Sequence, residues 1–184
     1  MKKIYFATTN EGKLREAINL LGMDVQGVSL DIDEVQSLDP VEVAVKKAES
    51  YFRKVKKPLF VEDVSLTIKV MNNLPGPYID SFMKSLGNDG ILNLLKGRRN
   101  RNAVVQTTVV YADRNGKTHE FTGVVKGKIS ENVRGDKGFG WDPIFIPEGA
   151  RKTFAEMDIN EKNNYSMRAK ALIKFKEWLS KNEK

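Results

Sequence analysis

Two long β-forming runs around one turn constrain this chain more than any other feature. Ala103 to Asp113 reads as a strand, Asn115-Gly116 is a hairpin turn, and His119 to Ile129 reads as the return strand. On the return strand Phe121, Val125 and Ile129 share one face, and Glu120, Thr122, Lys126 and Lys128 share the other. An isolated hairpin is marginal in water, so its apolar face needs a cover. Patterns at both ends of the chain supply it. A strand from Lys3 to Thr8 opens into a helix with Leu14, Ala17, Ile18 and Leu21 on one side, closed by Gly22. A short strand follows at Val25 to Ser29. Asp39-Pro40 then starts a helix striped by Val41, Ala44, Val45, Ala48, Tyr51, Phe52 and Val55. Its other face is charged, which predicts a scaffold helix rather than a binding one. The last helix, from about Ser166 to Ser180, buries Leu172, Phe175 and Leu179. Helices at both ends with a hairpin between them predict one α/β domain over residues 1–184, in two lobes.

Between these elements, Leu59-Phe60-Val61 reads as a short strand ending at Glu62-Asp63, with another strand at Leu66 to Val70. Pro75-Gly76-Pro77 punctuates the chain before a helix through Leu86, and Asn88 caps a second that stops at Gly97. Arg98, Arg99 and Arg101 read as a solvated loop. A glycine-rich segment, Gly135 to Trp141, leads to Asp142-Pro143 and a short strand at Ile144 to Ile146.

Composition narrows the chemistry. The chain has 184 residues, 40% hydrophobic and 30% charged, which excludes collagen-like, mucin-like and largely disordered classes. It has no cysteine and one histidine, His119, so thiolate sites, cysteine nucleophiles and multi-histidine cages drop out. Any metal is held by oxygen. No apolar run reaches membrane-spanning length, and Ile4-Tyr5-Phe6-Ala7 is too short for a signal peptide, so a cytoplasmic protein is expected. Basic residues outnumber acidic ones by 31 to 24, giving +7. That suits an anionic partner, or simply a solvated lysine-rich surface.

Gly116-Lys117-Thr118 imitates the end of a phosphate-binding loop, but Tyr111 stands where that motif needs glycine, and the segment is a hairpin tip. Thr8-Thr9-Asn10-Glu11-Gly12-Lys13 joins a strand to a helix start, where free amides and the dipole suit an anion. Two readings stay open there: a phosphate cradle with Lys13 as its charge, or a capped helix with a surface lysine. Glu34 and Glu62-Asp63 are carboxylates at predicted strand ends, the donors an oxygen-ligated Mg²⁺ site needs. One of them can also take a proton from water. Phe139-Gly140-Trp141-Asp142-Pro143 places an aromatic between glycines, able to lie flat under a base, with Asp142 able to read a base edge. The alternative for Trp141 is a core plug. Lys162, Asn163, Ser166 and Arg168 flank the last helix and with Lys13 could neutralise a triphosphate.

In this order the segments resemble the Ham1/inosine triphosphate pyrophosphatase family over essentially the whole chain. The matching pieces are Thr8 to Lys13 with Glu16, Glu34-Val35-Gln36, Val61-Glu62-Asp63 and Leu74-Pro75-Gly76-Pro77-Tyr78. Then come Gly138 to Pro143, Ala155-Glu156-Met157, and Glu161-Lys162-Asn163 with Ser166 and Arg168. The resemblance implies an elongated mixed β-sheet flanked by helices, with a nucleotide cleft between two lobes. It implies hydrolysis of noncanonical purine nucleoside triphosphates (ITP, dITP, XTP) to monophosphate and pyrophosphate by a cytoplasmic homodimer. By position, Thr8, Thr9, Asn10, Glu11, Gly12 and Lys13 would cradle phosphates, with Lys162 also facing them. Glu34 and Asp63 would bind Mg²⁺ with Glu62 nearby, and Asp63 would be the general base. Phe139, with Gly140 and Trp141, would stack on the purine, and Asp142 and Arg168 would read its edge. Two residues depart from the pattern. Met167 stands where many relatives have histidine, so it lines the pocket by backbone only, and Val64 stands where many bacterial relatives have a hydroxyl.

Two other readings compete. A Maf-like pyrophosphatase acting on modified pyrimidine nucleotides shares the phosphate chemistry, but the Phe139 to Pro143 run argues against it. A basic nucleic-acid-binding domain explains the charge but leaves Glu34, Glu62 and Asp63 without purpose. Neither nucleic acid nor a membrane is therefore expected as a partner.

Overall fold

The structure, a computed structural model, describes residues 3–183. Its strands are β1 (Ile4–Ala7), β2 (Val25–Val28), β3 (Leu59–Ile68), β4 (Pro75–Gly76), β5 (Asn102–Ala112), β6 (Thr118–Ile129) and β7 (Phe145–Pro147). The helices are α1 (Glu11–Leu21), α2 (Pro40–Val55), α3 (Ile79–Leu94), α4 (Ile159–Tyr165) and α5 (Met167–Asn182). The strands form one seven-stranded sheet in the order β2-β1-β3-β5-β6-β7, with β4 paired to β3. β1 runs parallel to both β2 and β3, while β4 on β3 and β7 on β6 are antiparallel. The sheet is mixed and flanked by helices, as the sequence predicts.

The chain divides into two compact units. The first holds residues up to Asp63, Thr107–Gly123 and the chain from Arg168; the second holds Val64–Gln106 and Val124–Met167. Strand alternation organises the first unit. Phe6, Phe60, Val109 and Tyr111 point to one face, where Ala17 and Leu21 of α1 and Leu172 and Phe175 of α5 cover them. Ala7, Leu59, Val61 and Val110 point to the other, against Ala44, Ala48 and Tyr51 of α2. Phe6 stacks on Phe60 at 4.3 Å between ring centroids, and Phe60 meets Phe175 at 5.1 Å. In the second unit a separate core gathers Leu66, Ile68, Ile91, Leu95, Phe145 and Phe154.

The sequence reading needs four corrections here. Glu62-Asp63 does not end a strand: β3 runs through it to Ile68, because distant cations neutralise the buried Glu62. In α1 the buried face holds Glu16, while Ile18 is exposed, because Glu16 meets an arginine from α5. Arg101 is not a solvated loop residue; its guanidinium donates to the carbonyls of Ile129, Leu95 and Ser130. Lys162, Ser166 and Arg168 are buried rather than superficial, and α4, capped by Asp158, lies before α5 where no helix was anticipated.

Candidate active site

The site begins with the pleat of β3. Successive strand residues face opposite sides, so Glu62 follows Phe60 toward α1 and α5, and Asp63 follows Val61 toward α2. Each carboxylate meets the cations of the helices on its own side.

Glu62 is 3% exposed. Arg168 of α5 binds it in a fork, Nε donating to Oε2 at 2.7 Å and Nη2 to Oε1 at 2.9 Å. Arg168 Nη1 also donates to Glu16 Oε2. Lys13 Nζ lies 3.2 Å from Glu62 Oε1. Burial alone would push the Glu62 carboxyl up, but the Arg168 and Lys13 charges overcome it and hold it at about 2. The same two carboxylates raise the Arg168 pKa against its own burial. Glu16-Arg168-Glu62-Lys13 is thus a buried chain of alternating charge.

Asp63 is the opposite case. Its Oδ2 is buried with no hydrogen-bond partner. Burial pushes its pKa up to about 6, with Glu34 and Glu62 adding to the rise and Lys47 and Lys13 opposing it. On the α2 side Lys47 Nζ sits 2.7 Å from Glu34 Oε1. Burial lowers the Lys47 pKa, but Glu34 and Asp63 more than reverse that. Lys47 was not anticipated, since α2 was read as scaffold only. Its signal was present: Ala44, Lys47, Ala48 and Tyr51 follow the i, i+3, i+4, i+7 rule, so a lysine falls on the apolar face. Glu16 was noted without a role.

The Thr8–Lys13 turn lies at the start of α1. Asn10 is its N-cap, accepting from the Lys13 amide at 3.0 Å, and Thr8 Oγ1 accepts from the Asn10 amide at 3.1 Å. The amides of Glu11 and Gly12 remain at the positive end of the helix, with Thr9, Asn10 and Glu11 exposed.

The second unit contributes a separate cluster. Asp142, 4% exposed, accepts from the Phe139 amide at 2.9 Å and from Lys162 Nζ at 2.8 Å through the same Oδ2. Lys162 Nζ stands 5.1 Å from the Phe139 ring centroid, a cation–π contact on a half-buried aromatic. Gly140 is exposed. Trp141 is 8% exposed and meets Phe145 edge-on at 5.6 Å, so its indole fills the core. Met167 belongs to the same core, and Val64 packs against it.

The structure therefore brings together Lys13, Asp63, Glu34 and Lys47, and separately Phe139, Asp142 and Lys162. It does not bring Glu62 to the Asp63 side, because the pleat turns it away and Arg168 holds it. It also commits Arg168 to Glu16 and Glu62, where a base-reading guanidinium was expected. Among the described residues no three His, Cys, Asp or Glu side chains converge on a metal position. A hard divalent ion such as Mg²⁺ nonetheless fits the donors, since it commonly takes only one or two carboxylates plus substrate phosphates. The unpartnered Asp63 Oδ2 and the half-exposed Glu34 are oxygen donors of that kind.

Residues 4–178 match the sequence profile of the Ham1 family. The chain is 44% identical over 183 residues to the dITP/XTP pyrophosphatase of Methanopyrus kandleri, covering 98% of this chain and 97% of that one. It is 41% identical over 187 residues to the inosine triphosphate pyrophosphatase of Candida glabrata, covering 96% and 97%. A HAM1 protein from Coxiella burnetii is similar in structure, with a TM-score of 0.86 and 29% identity, over 98% of this chain and all of that one. With the profile running from β1 into α5 and these relatives matched nearly end to end, the chain belongs to the Ham1 family.

Proposed function

We propose that this protein hydrolyses the noncanonical purine nucleoside triphosphates ITP, dITP and XTP to the nucleoside monophosphate and pyrophosphate. The observation that carries the reading is Asp63: a buried carboxylate with an unpartnered oxygen and a pKa near 6, beside two lysines. Such a group is poised to exchange a proton near neutrality.

In the first unit the open amides at the start of α1, with Thr8 and Lys13, bind the phosphate chain. Glu62 and Arg168 fix the Lys13 ammonium, so its charge is pre-placed rather than recruited. Asp63 Oδ2 accepts a proton from water as the water oxygen bonds to the α-phosphorus. The bond from that phosphorus to the α–β bridging oxygen breaks, and pyrophosphate leaves with the electron pair. Glu34 and Asp63 would hold Mg²⁺, which when bound supplies charge neutralisation at the phosphates. Lys47 compensates Glu34 and Asp63 by charge. In the second unit Phe139 offers its ring to the purine, its turn held by Asp142 and Lys162. Both units thus serve one catalytic domain. The family resemblance supports a cytoplasmic homodimer acting on a small-molecule nucleotide, with no nucleic acid or membrane as partner. No helix among the described residues is long and apolar enough to cross a membrane.

The test is product analysis over a panel of ITP, dITP, XTP, GTP and ATP with Mg²⁺. IMP and pyrophosphate from ITP, with ATP far slower, are expected. IDP and orthophosphate would place attack at the γ-phosphorus, and equal turnover of ATP and ITP would remove the proposed selectivity.

A further inference from the structure

α3 is not continuous: Gly87 breaks it with φ 63° and ψ −172°. The next residue, Asn88, is placed in sequence to cap the second half of the helix. The structure uses it otherwise. Its Nδ2 donates to the Gly140 carbonyl at 3.1 Å, and its Oδ1 is buried with no partner. A capping asparagine would accept from a first-turn amide; this one leaves its acceptor unsatisfied and spends its donor on a turn 52 residues away. Buried acceptors are rarely left unpaired without a compensating demand on geometry.

The backbones on both sides of this bond have the same character. Gly87 and Gly140 both have positive φ, and a Cβ on either would meet nothing within 4 Å. Neither glycine serves close packing. Each sets the direction of its chain, one aiming Asn88 and the other aiming the carbonyl that receives it. Gly140 directly follows Phe139, whose amide is held by Asp142. The turn is thus held from inside by Asp142 and from α3 by Asn88.

We infer that Asn88 is a positioning residue for nucleotide binding, locking the Phe139-Gly140 turn so that the Phe139 ring is presented to the base. This rests on the assignment of Phe139 as the base platform. Removing the hydrogen bond leaves the phosphate machinery of the first unit untouched and loosens only the base side.

The test uses the full-length protein with ITP as substrate and IMP and pyrophosphate as product inhibitors. Asn88→Asp keeps the shape, removes the donor and sets a carboxylate against the carbonyl. It should raise KM for ITP and Ki for IMP together by about 3- to 10-fold, the scale of one lost hydrogen bond. kcat and the Ki for pyrophosphate should stay near wild type. Gly87→Ala, which has space for its methyl but strains the backbone, should move the same constants the same way and serves if Asn88→Asp does not fold. Phe139→Ala should raise KM for ITP more than either. Wild-type KM in Asn88→Asp or Gly87→Ala, with KM raised in Phe139→Ala, would overturn the role of Asn88 alone. Equal rises in the Ki for IMP and pyrophosphate would make Asn88 merely structural. An unchanged KM in Phe139→Ala would remove the base platform itself, and the Asn88 role with it.

Discussion

Glu62 and Asp63 are adjacent in the chain and opposite in chemistry, because the strand pleat points them to different faces of the sheet. Glu62 is held at about 2 by Arg168 and Lys13, whereas burial holds Asp63 near 6. The first is a fixed charge that organises its neighbours. The second can take up and release a proton, and pairs of carboxylates driven apart in this way divide catalytic roles between them.

Asp63→Asn should lose about 10²–10⁴ in turnover, the usual contribution of a general base. It should also be more stable than wild type at neutral pH. The Asp63 pKa is raised in the folded state from 3.8, so the folded protein holds the proton more tightly than the unfolded chain. Wild-type stability then falls as pH rises from about 4 through about 6, by on the order of 2–3 kcal/mol. Thermal unfolding with a chelator present should show no difference at pH 4 and a higher Tm for Asp63→Asn at pH 7. A lower Tm for the variant at pH 7 would contradict the assignment.

Arg168 is locked between two carboxylates, so removing it leaves buried negative charge unpaired. Arg168→Ala should cost about 3–5 kcal/mol of stability, seen as a Tm lower by roughly 2–4 °C per kcal/mol. At a temperature where the variant stays folded, it should slow ITP and ATP by the same factor. A narrowed ITP-to-ATP ratio would show instead that the guanidinium reaches the base. Glu62 adds a pH signature. Its folded pKa lies below the ordinary 4.5, so its stabilisation is complete above that value and lost as pH falls toward about 2. Glu62→Gln should flatten that acid limb in a pH series of Tm.

Lys47 and Lys46 are neighbours with different surroundings, which makes a controlled comparison. Lys47 pairs with Glu34 and senses Asp63, whereas Lys46 pairs with Glu49 on the solvent face. Lys47→Met should lower kcat/KM for ITP roughly 10- to 100-fold, the scale of one charge-assisted hydrogen bond. Lys46→Met should leave it unchanged. Similar activity in both variants would return α2 to a purely structural role.

The sequence by itself determined the elements that depend on local pattern. The hairpin around Asn115-Gly116, the Asp39-Pro40 helix start, the Gly22 stop and the apolar last helix all follow from periodicity and capping within a few residues. The ordered motifs also marked Lys13, Asp63, Phe139, Asp142 and Lys162 as chemistry-bearing residues. Tertiary structure alone decided what each of them touches. Glu62 and Arg168 are separated by 106 residues and Glu16 and Arg168 by 152, distances over which no periodicity carries information. Glu62-Asp63 read as a strand end because two carboxylates in a strand interior require cations, and those cations arrive from α1, α2 and α5. Asn88 read as a helix cap for the same reason: local sequence shows the donor and acceptor a side chain offers, and only the folded backbone decides which partner is in reach.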